Sequence, residues 1–207
     1  MPIVFAAISP HPPIILPSVG SQKDREQAKN TIGALEEAGE KLRKSSPDTI
    51  VISSPHPDWG FRVPLFFLAK DFKGKIETFL TGDETTEYYF KQGEKACAEY
   101  NMQDAGRRFG LIASGDLSHC LKTDGPYGFN ADGPKFDKEL VEALKEKDVK
   151  RILRLDDLYP EAGECGLRSI CFVLGILEAS GIDWQAEILS YEGPWGVGYL
   201  VAGFKLK

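Results

Sequence analysis

The sequence predicts an α/β layered fold with a mixed sheet. Short apolar or β-branched runs alternate with amphipathic stretches, Pro, Gly and Asp punctuate the junctions, and two strand-like runs around Gly193-Pro194 close the chain. The run Ile3-Val4-Phe5-Ala6-Ala7-Ile8, ended by Pro10, reads as a buried strand. Residues 22–44 place Ala28, Ile32, Leu35, Ala38 and Leu42 at helical spacing and are expected to form one amphipathic helix. Residues 49–53, entered through Pro47-Asp48, read as a strand, and residues 61–67 are expected to be another. A strand over 76–80 leads to a helix start at Gly82-Asp83 and a helix running to about Asn101. Residues 109–114 form the next strand, ending in Gly115-Asp116. Helices follow over 136–147, 149–155 and about 166–179, the last stopped near Gly181; strands over 184–191 and 197–205 finish the chain.

A length of 207 residues fits one domain, and the absence of a repeat or low-complexity linker leaves 1–207 as the expected unit. Hydrophobic residues at 42% and charged residues at 27% allow a sizeable core. A net charge of −6 argues against a nucleic-acid partner, which would need clustered Lys and Arg. No apolar run reaches the ~20 residues of a membrane helix, and the first residues have neither a positive leader nor a cleavage site. The four cysteines, Cys97, Cys120, Cys165 and Cys171, include no C-x-x-C pair, so a structural zinc site is not expected and the reducing cytoplasm is.

The chain has three histidines, each following a predicted strand: His11 in Ser9-Pro10-His11-Pro12, His56 in Ser54-Pro55-His56-Pro57, and His119 in Gly115-Asp116-Leu117-Ser118-His119. Ligands of open α/β sheets bind beyond the carboxyl ends of strands, so the three are expected to converge. Proline fixes its own φ and restricts the residue before it, so a histidine between two prolines is held in a narrow backbone window. Pro-His-Pro in isolation is also ordinary turn chemistry; its occurrence twice after strands favours a metal site. Two imidazoles suit zinc, copper or iron, and a third carboxylate makes the face typical of non-haem Fe(II). Glu164, in a glycine-rich stretch at the head of an apolar helix, is the expected third ligand, with Cys165 and Glu192 as alternatives. A helix-start carboxylate favoured by the macrodipole is the structural alternative for Glu164.

Together the Ser-Pro-His-Pro pair, Ser114-Gly115-Asp116-Leu117-Ser118-His119, Glu164-Cys165-Gly166 and the closing run from Tyr191 to Tyr199 resemble the LigB-type class III extradiol ring-cleavage dioxygenases. More narrowly they resemble the Memo-like branch of the AmmeMemoRadiSam system. The resemblance implies a three-layer α/β/α domain, Fe(II) bound by His11, His56 and Glu164, and His119 as the catalytic histidine with Asp116 beside it. It implies ring cleavage of a small catechol-like substrate with O2, the metal lowering the catechol pKa values and His119 moving a proton. Asp116 would orient His119, a role that stands beside an ordinary turn role. In the Memo-like branch a cysteine replaces the carboxylate. If Cys165 rather than Glu164 points inward, the softer donor set favours Cu or Zn, and a metal-binding or redox accessory protein acting with AmmeMemoRadiSam partner proteins replaces the enzyme. A metal-free interaction domain is the third possibility. Assembly as a homo-oligomer is expected from the resemblance.

Weaker candidates surround this set. Tyr127, in a glycine- and proline-rich loop, and Trp59, just after His56, are candidates to wall a substrate pocket. Lys122 and Arg168 are candidates to bind a substrate carboxylate. Gly196-Val197-Gly198 lacks the strand-then-helix setting of a dinucleotide loop.

Overall fold

The computed structural model describes residues 2–103 and 106–207. Its strands are β1 (Ile3–Ser9), β2 (Thr49–Ser54), β3 (Lys75–Leu80), β4 (Phe109–Ser114), β5 (Trp184–Glu192) and β6 (Tyr199–Leu206). They form one sheet in the order β3-β2-β4-β1-β6-β5. The β3, β2, β4 and β1 pairings are parallel, and β6 runs antiparallel to both β1 and β5. The sheet is therefore mixed, as expected from the alternation.

Side-chain alternation along the central strands creates two cores. Val51 and Leu111 pack with Phe136 of α5 (Asp132–Glu146) and Phe172 of α8 (Leu167–Ser180), and with α4 (Thr86–Glu99) through Ala96 and Cys97. Ile50, Ile52 and Ile112 pack in the opposite cluster with Leu35 and Leu42 of α2 (Lys29–Ser45) and Val63 of α3 (Trp59–Leu68). Successive residues of a strand point to opposite faces, and both faces of a parallel sheet are buried. Helices on both sides give the expected three-layer α/β/α architecture. Among the described residues no helix is long and apolar enough to cross a membrane.

Three segments differ from the sequence expectation. Residues 61–67 are not a strand: they lie in α3, whose buried residues Gly60, Val63, Pro64 and Leu68 fall at helical spacing. The apolar run carried no clear period, and packing against α2 decides it. The helix expected over 22–44 is two helices, α1 (Gln22–Gln27) and α2, broken at Ala28 (φ −110°, ψ 26°). Glu192 of β5 accepts hydrogen bonds from Thr31 N (2.8 Å) and Thr31 Oγ1 (2.6 Å), satisfying the start of α2 from another element. Residues 149–155 likewise divide into two short helices, α6 (Val149–Ile152) and α7 (Leu155–Leu158).

The loop after β4 is held by a buried carboxylate. Asp137 of α5 accepts from Ser118 N (2.8 Å) and from the Tyr191 hydroxyl (2.6 Å). Gly198 has no Cβ because one would stand 2.2 Å from Asp137 Oδ2, which explains a glycine of the 196–198 run without a nucleotide. Burial pushes the Asp137 carboxyl up to about 7, against the two hydrogen bonds that favour its charged form. The unfolded group ionises near its ordinary 3.8 while the folded one still holds its proton, so stability falls as pH rises from about 4 to about 7 and then levels. At ~1.4 kcal/mol per pKa unit this amounts to roughly 4 kcal/mol at most. Asp137→Asn keeps an acceptor for Ser118 and is neutral throughout. Urea denaturation at pH 4.5, 6 and 7.5 is expected to show a shallower decline for this variant than for wild type.

Candidate metal centre

The three central strands β1, β2 and β4 end in register, with Ser9 beside Ser114 and Ser53 beside Ala113. Each ends in serine, and two residues beyond stand His11, His56 and Asp116. Parallel neighbours with equal overhangs carry these residues to the same rim of the sheet, the crevice where α/β folds place ligands. His119 lies three residues further along the β4 loop, its backbone N–H directed to Gly163 O at 3.3 Å.

His11 and His56 meet edge to face with ring centroids 5.1 Å apart. His11 is buried. Its backbone N–H donates to Asp116 Oδ1 (2.8 Å), and its Nδ1 lies 2.9 Å from Ser114 Oγ. Cys165 Sγ stands 3.5 Å from His11 Nε2. One donor atom from each of His11, His56 and Cys165 lies within 4.8 Å of the other two. Donors bound to one ion at ~2.1 Å (N) and ~2.3 Å (S) stand about 3.5 Å apart, so the donor set and its spacing fit a first-row metal.

Cys165 reaches this position through backbone contact rather than side-chain packing. A Cβ on Gly115 would come within 2.1 Å of Gly166 Cα, and one on Gly166 within 2.9 Å of Asp116 O. The bare glycines let the start of α8 press against the end of β4, where Asp116 O accepts from Gly166 N (3.0 Å). Glu164 is used differently from the expected ligand. Its Oε2 accepts from Leu167 N at 2.6 Å and its Oε1 from Arg168 Nη1 at 3.2 Å, so it caps α8. The structure thus brings Cys165, and neither Glu164 nor Glu192, to the two histidines.

Electrostatically, burial moves His11, Asp116, His119 and Cys165 towards their neutral forms. Burial, with His56 nearby, lowers His11 to about 3, leaving its imidazole uncharged at neutral pH. Burial, and then the Asp116 charge, raise the Cys165 thiol well above its ordinary range. Burial lifts Asp116 to about 6, opposed by the His11 N–H bond and by His119 and His56. His119 is lowered by burial, against the pull of Asp116. Its Nε2 is buried without a hydrogen-bond partner among the described residues, which leaves one ring nitrogen for a ligand or proton.

The remaining candidates divide. Tyr127 lies beside His119 with centroids 5.0 Å apart, and Trp59 lies 5.2 Å from His56; both residues are exposed. Lys122 donates to Pro194 O at 2.9 Å, a structural contact. Arg168 is taken by Glu164, Asp156 and Glu84 O. Sequence reasoning passed over Tyr199, whose buried phenol is raised by burial and then by Asp116, Tyr127 and Cys165. It also gave no role to Ser114 and Gly60, which touch the ligand loops, although Ser114 is the serine that ends β4 as serines end β1 and β2.

A family model described as the catalytic LigB subunit of aromatic ring-opening dioxygenase matches residues 5–58 and 56–202. Protein CA_C1420 of Clostridium acetobutylicum is 32% identical over an alignment covering 92% of this chain and 55% of that protein. The chain therefore spans about half the length of this curated relative. A solved structure, the uncharacterized protein JW3007 from Escherichia coli K12, matches with a TM-score of 0.61 over 97% of this chain and 99% of that one. Its 14% identity makes it a likeness of fold.

Gly166→Ala tests the backbone contact. The added Cβ meets backbone atoms that have no flexible way to yield, so a loss of about 2–4 kcal/mol in urea denaturation is expected. The Cys165 thiol is expected to react faster with a thiol reagent in folded protein, because the helix start is pushed away from Asp116.

Proposed function

We propose, since the chain belongs to the LigB family of aromatic ring-opening dioxygenase catalytic subunits, that it is a metal-binding redox protein of that family. Its ion would be held by His11, His56 and Cys165. The observation that carries this reading is the Cys165 thiol 3.5 Å from His11 Nε2 while Glu164 is occupied by the helix it caps. Two imidazoles and a thiolate favour copper or zinc over the Fe(II) expected of two histidines and a carboxylate. When bound, copper would supply one-electron redox chemistry. His11 presents a neutral ring, and Cys165 must give up its thiol proton, so uptake strengthens as pH rises. Such a protein fits the Memo-like role of an accessory to AmmeMemoRadiSam partner proteins in a reducing cytoplasm, which keeps Cys165 free.

Extradiol cleavage of a catechol with Fe(II) and O2 is the second reading. The buried Nε2 of His119, without a partner among the described residues, supports it, because a proton-moving imidazole needs a free nitrogen at the reacting atoms. Tyr127 and Trp59 would then offer aromatic faces to the ring.

Anaerobic titration of metal-free protein with Cu(I), Zn(II) and Fe(II) against a chromophoric chelator separates the readings. One equivalent of Cu(I) is expected per chain, bound more tightly than Fe(II). Cys165→Ser is expected to weaken Cu(I) binding by about a hundredfold or more, and Glu164→Gln by only a few-fold. The reverse pattern, with Glu164→Gln abolishing binding, would restore the carboxylate site. Iron-loaded protein is expected to take up no O2 with a panel of catechols; uptake that disappears in His119→Ala would decide for ring cleavage.

A further inference from the structure

The helix that follows the second ligand loop contains a proline whose effect reaches His11. Pro64 lies inside α3 and has no N–H, so the carbonyl four residues earlier, that of Gly60, receives no helical hydrogen bond from it. The Ser114 hydroxyl, at the end of β4, donates to that carbonyl. A hydroxyl has one hydrogen, so once it is given to Gly60 O the Ser114 oxygen can only accept. Its other close contact is His11 Nδ1 at 2.9 Å, which must then carry the ring proton. A neutral imidazole has one N–H, so Nε2 is left with its lone pair towards Cys165 Sγ.

We infer that Ser114 is the positioning residue that fixes the tautomer of His11, and that Pro64 sets its direction by leaving Gly60 O to be satisfied from outside the helix. Gly60 also binds the second histidine into the arrangement: a Cβ there would stand 2.0 Å from Ser54 Oγ and 3.0 Å from His56 Cβ. One hydroxyl therefore joins the His11 loop, the end of β4 and the start of α3. The assignment of Nε2 as the metal-facing nitrogen rests on the metal-binding reading above. The tautomer itself does not.

The test uses nitrogen-15 NMR of His11 in the metal-free protein at fixed neutral pH, with chelator-competition affinity for Cu(I) as the second readout. Wild type is expected to show one tautomer with the proton on Nδ1. Ser114→Ala is expected to give a mixture of tautomers and a ten- to hundredfold weaker Cu(I) affinity, the range for removing an outer hydrogen-bond partner of a ligand. Ser53→Ala is the control, because it removes an equally buried β2 hydroxyl whose partner is Ser169. That variant is expected to leave both readouts at wild-type values. Pro64→Ala returns an N–H to Gly60 O with the site residues intact, and is expected to shift the tautomer in the same direction as Ser114→Ala; it keeps the test open if Ser114→Ala fails to fold. A wild-type His11 protonated on Nε2, or a single Nδ1–H tautomer in both Ser114→Ala and Pro64→Ala, overturns the assignment. Equal losses of affinity in Ser53→Ala and Ser114→Ala would also overturn it, by reducing the effect to loss of a buried hydroxyl. If no metal binds wild type, the metal reading fails while the tautomer result still decides the role of Ser114.

Discussion

The meeting of Gly115 with Gly166 is the constraint on which the site depends. Two stretches of backbone, the end of β4 and the start of α8, come closer than any pair of side-chain-bearing residues would permit. The helix begins there, so its first residues face the strand ends while its buried length fills the core on one side of the sheet. The same contact orients two adjacent residues to opposite purposes. Glu164 turns back to its own helix and to Arg168, and Cys165 turns towards the histidines.

Burial then sets the character of what gathers there. Taking a carboxylate or an imidazolium out of water costs far more than taking out its neutral form, and every ionisable group shifted around the cluster moves in the direction that removes charge. Asp116, Glu164 and Asp137 are all raised, and His11 and His119 lowered. A cation entering such a place would carry the largest charge in the neighbourhood.

Much of this was legible in the sequence. The repeated Ser-Pro-His-Pro marked two strand ends and two donors, because proline restricts backbone in a way that any reader of residues can use. The alternation of strand and helix gave the layers. The third donor was not legible, since Glu164 and Cys165 are neighbours and the choice depends on a glycine contact with a strand 50 positions away in the chain. Residues 61–67 were illegible for another reason: an apolar stretch without a clear period is assigned by its neighbour, here α2. The break at Ala28 was hidden because the carboxylate that supports the new helix start belongs to β5. Ser114 looked like any strand-end serine until its two contacts were seen together.

The spread of the donors along the chain has a consequence for how the molecule is completed. His11 and His56 belong to the early strands, whereas Cys165 arrives only with the last long helix. Closing such long loops is slow and entropically costly, so the cluster comes together only after the distant α8 has docked against the sheet. Any partly folded form with α8 undocked keeps two imidazoles and lacks the thiol. An ion that needs all three donors therefore distinguishes finished molecules from unfinished ones, and holding it would draw the folding equilibrium towards the finished state.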